Sequence, residues 1–76
     1  MHSLKQQIEQ FCSQLSLKGL RMLHDAIADT LQREDALQPS VDPPYGIRKF
    51  PDFRWEADAI QAEFQKRSIP FRPIKW

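Results

Sequence analysis

A small, mainly α-helical domain is what this 76-residue sequence predicts, and three observations predict it. Apolar residues recur at helical spacing in three separate segments. Serines suited to helix starts precede the first two, and a cluster of prolines cuts the third away from them. The predicted architecture is one small three-helix domain over residues 1–76. It comprises a helical hairpin over 3–35, a proline-rich linker over 38–51, a third helix over 53–67, and an extended C-terminal tail or edge strand over 69–76. A chain of this length supports a single core, and such a core leaves only ~3–5 kcal/mol of net stability.

Ser3 followed by Gln6 matches a capping box, in which each side chain satisfies a backbone donor left open at the helix start. Leu4, Ile8, Phe11, Cys12 and Leu15 then share one face, which predicts a first helix over residues 3–14. His2, ahead of the cap, is expected to fray. Ser16 is suited to cap a second helix over 17–35, whose stripe is Leu17, Leu20, Leu23, Ile27 and Leu31. Gly19 weakens that helix by ~1 kcal/mol relative to alanine. Ser13, Ser16 and Gly19 together favour a tight turn between the helices, so that each can bury its stripe against the other.

Pro39, Pro43, Pro44 and Pro51 exclude regular helix from Gln38 to about Pro51. Connections this long are uncommon in compact domains. Tyr45, Ile47 and Phe50 imply that its second half runs as a short extended segment over the helices. Asp52 then suits the cap or first turn of the third helix, where Phe53, Ala57, Ile60 and Phe64 form the stripe. Lys66 and Arg67 complement its C-terminal end, Glu63 and Arg67 form an i,i+4 pair, and Pro70 stops it at Ser68 and Ile69. Pro70 and Pro73 remove two amide donors from the tail, which restricts any strand there to a sheet edge.

Composition narrows the function classes. One cysteine excludes an intrachain disulfide, and two histidines with one thiol fall short of a structural zinc site, so no metal and no cofactor is expected. Only Gly19 and Gly46 are available, too few for a phosphate-cradling glycine loop. No apolar run exceeds Ala26-Ile27-Ala28 and the opening residues lack the apolar core of a secretory signal, which predicts no membrane insertion and a cytoplasmic location. Net charge is +1, with residues 1–45 carrying four basic and six acidic groups and residues 46–76 seven basic and four acidic. That is too even a balance for a concentrated nucleic-acid footprint.

Cys12, His24 and Asp25 invite comparison with a thiol nucleophile and its base, but a cysteine on an apolar stripe behaves as a small hydrophobe. His24 reads as a histidine at the margin of the core. Asp25, Asp29, Glu34 and Asp35 read as a solvated acidic face, and Pro43-Pro44-Tyr45 as a rigid turn. No catalytic constellation emerges, and no enzyme is predicted.

What does emerge is a surplus of apolar groups. Met22 and Ala26 project away from the second stripe; Trp55, Ala59 and Ala62 project away from the third; Ile69, Phe71, Ile74 and Trp76 add to them from the tail. Either the tail folds back over Trp55, or Trp55 and the tail form an exposed patch for a partner. The functional expectation is a non-enzymatic protein-interaction module acting as a small regulator, adaptor or accessory subunit. Trp55, Phe71, Ile74 and Trp76 would serve as anchors, while Arg72 and Lys75 steer an acidic partner, with Arg72 also placed to stack on an aromatic face. A homodimer through residues 3–35 is a further partner choice. The alternative is a nucleic-acid-binding accessory protein in which Arg48, Lys49, Arg54, Lys66 and Arg67, with Arg72 and Lys75, neutralise phosphates beside stacking aromatics.

Overall fold

The computed structural model describes residues 3–76; His2 and the fraying expected of it lie outside the described residues. Among the described residues three helices form: α1 (Leu4–Gln14), α2 (Leu17–Asp35) and α3 (Pro51–Lys66). The capping box closes α1 as predicted, with the Ser3 hydroxyl accepting from the Gln6 amide at 3.2 Å and the Gln6 side chain accepting from the Ser3 amide at 3.0 Å. Leu15 and Ser16 are both extended, which separates α1 from α2, and the Ser16 hydroxyl accepts from the Gly19 amide at 3.1 Å.

α3 begins two residues earlier than its spacing predicts. Pro51 takes the first helical turn, where a missing amide hydrogen costs nothing, and Asp52 is a first-turn acid with no side-chain cap preceding it. Its far end closes through Ser68 in the left-handed region at φ 56°. There the Ser68 amide donates to the Gln65 carbonyl at 3.0 Å and the Ile69 amide to the Phe64 carbonyl at 2.9 Å. These two bonds are the C-terminal closure usually made with glycine.

The packing order differs from the hairpin expected. α3 lies against both α1 and α2, while those two touch each other little. The core is Cys12, Leu20, Ile27, Leu31, Ile47, Ala57, Ala59, Ile60 and Phe64. Ala59, expected to be surplus, is buried because α3 is sandwiched and needs apolar groups on two faces. Splaying the first two helices flattens the molecule to 40 × 32 × 16 Å. Its radius of gyration of 13.2 Å exceeds the roughly 11 Å of a rounder domain of equal length. A flat shape of this kind has more surface to cover than its core can fill.

The linker is tied down instead of loose. Glu34 accepts from the amides of Tyr45 at 2.8 Å and Ile47 at 2.9 Å. Gly46, at φ 62°, lets the chain reverse there, and its carbonyl accepts from the Lys49 amide at 2.8 Å. The extended segment expected here is therefore a turn, and its product is a buried Ile47.

No strand forms among the described residues, so the edge strand expected of the tail is absent. The tail follows an irregular path along the core, with Ile69, Phe71, Ile74 and Trp76 partly buried against it. Pro70 and Pro73 break the alternating ladder of donors that a strand requires. Its remaining amides find side chains instead, as when Ile74 donates to Gln61 Oε1 at 3.0 Å.

Candidate functional site

The tail, α2 and α3 converge on His24. Its Nε2 lies 2.7 Å from the Arg72 carbonyl, which can only accept, so this nitrogen carries the hydrogen. Its Nδ1 faces Asp25 Oδ1 at 3.2 Å. The Phe71 ring stacks on Phe64 at 5.3 Å with the planes 19° apart, and the imidazole meets Phe64 edge-on at 5.7 Å. His24 is thus a margin histidine, as expected, and in addition a clasp that holds a segment 48 residues away.

Trp76 is gripped at the opposite end of the tail. Arg48 donates to its main-chain oxygen, and the guanidinium groups of Arg48 and Arg54 lie 6.0 Å and 5.4 Å from its ring centroid. Stacking on an aromatic falls to these two arginines and not to Arg72. Arg48 also forms a bidentate pair with Asp35, at 2.7 Å and 2.9 Å. The hydrogen bond and charge of Arg48 hold the Asp35 carboxyl below its ordinary range.

Trp55 and the tail do not form one patch. Trp55 is half-buried in a shallow groove of about 380 Å³ between α1 and α3, rimmed by Lys5, Glu9 and Lys66. The tail occupies the side of α3 that carries Arg54, Gln61 and Phe64. Phe71, Ile74 and Trp76 face inward, leaving Arg72 and Lys75 exposed. Large apolar exposure appears elsewhere: Phe11 is 58% exposed, Met22 64%, Tyr45 65% and Phe50 55%. Phe11 counts towards the predicted core stripe, yet only its neighbours Ile8, Cys12 and Leu15 reach the centre, because α2 does not close over it.

The basic residues of the nucleic-acid alternative are mostly engaged with carboxylates. Arg48 pairs with Asp35, Lys49 with Asp42 at 2.8 Å, Arg54 with Asp58 at 3.4 Å and Arg67 with Glu63 at 2.7 Å. Arg67 additionally donates to the Ser13 carbonyl at 3.1 Å, fastening α3 to α1. Lys66, Arg72 and Lys75 form no ion pair with the described residues.

Cys12 is buried, and burial first, then the charges of Glu56 and Glu63, push its thiol up. It therefore stays protonated at neutral pH, the opposite of what a nucleophile needs. Among the described residues no three His, Cys, Asp or Glu side chains converge as metal ligands, and no helix is long and apolar enough to cross a membrane. Nothing in the sequence pattern marks Arg21, which the fold brings to the same cleft as Arg72. Their separation along the chain hides the pairing.

Comparison with protein families, characterised proteins and solved structures finds no match for this chain.

Proposed function

We propose that this protein is a non-enzymatic protein-interaction module, acting as a small regulator, adaptor or accessory subunit. The observation carrying this reading is that the fold completes its own core and still leaves Phe11, Met22, Tyr45 and Phe50 more than half exposed. Exposed large apolar groups of this kind suit association with a protein surface. The anchors expected from sequence shift accordingly. Phe71, Ile74 and Trp76 serve mainly to hold the tail, so that Arg72 and Lys75 are displayed on a fixed support, with the half-buried Trp55 contributing from the other side of α3.

The nucleic-acid alternative draws less support, since a phosphate would have to compete with carboxylates for Arg48, Lys49, Arg54 and Arg67. Affinity capture from the native source tests the interaction reading, using the intact chain beside a Phe11→Ser, Met22→Ser double variant. Specific retention of a protein by the intact chain, reduced in the variant, supports it. Failure of the intact chain to retain any protein, with sedimentation showing a monomer at high concentration, removes both the hetero-partner and the homodimer forms of the idea.

A further inference from the structure

The chain has six arginines, and four are committed within the fold: Arg33 to Asp29, Arg48 to Asp35, Arg54 to Asp58 and Arg67 to Glu63. The other two are Arg21 on α2 and Arg72 in the tail. Both are exposed, neither forms an ion pair or side-chain hydrogen bond with the described residues, and both line one open cleft of about 450 Å³. Its floor is aromatic and apolar, formed by Phe71 on Phe64 with Pro70 and the edge of His24. The one acid in the cleft, Asp25, is turned to His24 Nδ1.

We infer that this cleft binds an acidic peptide segment of a partner protein, in which an apolar side chain lies beside one or two carboxylates. The apolar side chain would rest on Phe71 and Pro70, while the carboxylates take the unpaired guanidinium groups, whose forked donors match that geometry. The His24 clasp on the Arg72 carbonyl fixes the backbone that carries the second arginine, so the tail itself loses little order on docking. A polyphosphate chain fits less well. Where the cleft continues along α2 it is lined by Leu31, Ile74 and Lys75 with Asp29 and Asp35, each of these acids held by an arginine, a charge-balanced and partly apolar run that suits peptide side chains better than a chain of phosphates.

This proposal rests on the interaction-module reading and narrows it to a site and a ligand class. The test is an NMR titration of the full chain with the peptide acetyl-Glu-Phe-Asp-amide and with its neutral isostere acetyl-Gln-Phe-Asn-amide. The acidic peptide is expected to shift the Nε–H signals of Arg21 and Arg72 and the ring signals of Phe71. It should also bind about tenfold or more tightly than the neutral one, as charge-assisted hydrogen bonds require. Arg21→Gln and Arg72→Gln should each lose a similar factor, with helical signal unchanged because both side chains are exposed. Lys49→Gln, a change in the linker away from both the cleft and the tail, should lose none.

Equal binding of the two peptides, no shift at millimolar peptide, or an equal loss in Lys49→Gln overturns the assignment. A single-stranded oligothymidylate that shifts the same signals more strongly also overturns it, in favour of nucleic acid. If the peptide fails while the intact chain still captures a protein partner, the cleft assignment falls and the module reading survives. If capture fails as well, both fall.

Discussion

Two phenylalanines at helical positions give opposite predictions. Phe64 is 2% exposed, stacked on Phe71 and edge-on to His24. Replacing a buried phenylalanine with alanine costs about 3–5 kcal/mol through lost transfer energy and the cavity left behind. That equals roughly the whole ~3–5 kcal/mol available to a domain of this size, so Phe64→Ala should be largely unfolded at 25 °C. Phe11 is 58% exposed, which leaves roughly two fifths of the residue covered. Full burial of the side chain is worth ~1.5–3 kcal/mol, so truncation there forfeits roughly 0.6–1.3 kcal/mol. Alanine returns about 0.5 kcal/mol through its better helix propensity. The net cost is therefore about 0–1 kcal/mol, a fall in Tm of no more than ~4–8 °C. Thermal melts followed by circular dichroism, at two protein concentrations, decide the matter. If Phe11→Ala destabilises the chain as much as Phe64→Ala does, the ring is covered in solution and the exposed-surface reasoning is wrong. A cost that grows with concentration would identify the cover as a second copy.

Four further outcomes follow from single residues. Glu56 is half-buried beside α1, and desolvation first, then the Asp52 charge, raises its carboxyl above the ordinary value. Its stabilising contribution is complete below the unfolded carboxyl pKa and is lost as pH rises through the raised folded value. Glu56→Gln should therefore raise Tm at pH 7 and leave it unchanged near pH 3. Asp35 has the opposite sign: its lowered carboxyl stabilises above the unfolded pKa, and that stability is lost as pH falls through the folded one. Asp35→Asn should accordingly lower Tm at pH 7 and free the Trp76 ring, seen as a red shift and greater quenching of its fluorescence in a Trp55→Phe background. Ser68→Gly relieves a left-handed residue and Gly19→Ala adds a methyl whose nearest neighbours would lie at 3.4 Å or more. Each should stabilise by about 0.5–1 kcal/mol in urea titration.

The parts of this fold legible from sequence are those governed by neighbours along the chain. Ser3 with Gln6, Ser16 with Gly19, Pro51 and the stripe Ala57, Ile60 and Phe64 all act within a turn or two, so spacing reveals them. What spacing cannot reveal is which helix meets which. A stripe states that a face will be covered but carries no address, so the spacing predicts a hairpin whose two stripes meet, whereas α3 enters between its arms. Phe11 and Ala59 exchange their expected roles for that single reason. Glu34 is a similar case: its place in an acidic run suggests a solvated face, yet the turn at Gly46 delivers two amides to it.

The inserted position of α3 also explains why the tail is held so firmly. With α1 and α2 splayed, Phe64 and Leu31 would meet water on the side away from α1 unless something covered them. Hydrogen bonds alone would not suffice, since each contributes only ~0.5–1.5 kcal/mol net. The combination is what works: Phe71 stacks on Phe64, His24 fixes the backbone beyond it, and Arg48 with Arg54 encloses Trp76 at the far end. Inward placement of the apolar residues in a segment where Arg72 and Lys75 occupy the intervening positions necessarily turns those cations outward. The display of Arg72 beside Arg21 is thus a consequence of covering the core. Arg72 forms no ion pair with the described residues, so Arg72→Gln should leave stability within about 0.5 kcal/mol, while Phe71→Ala should reduce both stability and peptide binding. Equal destabilisation by the two substitutions would show that Arg72 belongs to the clasp and is not free for a ligand.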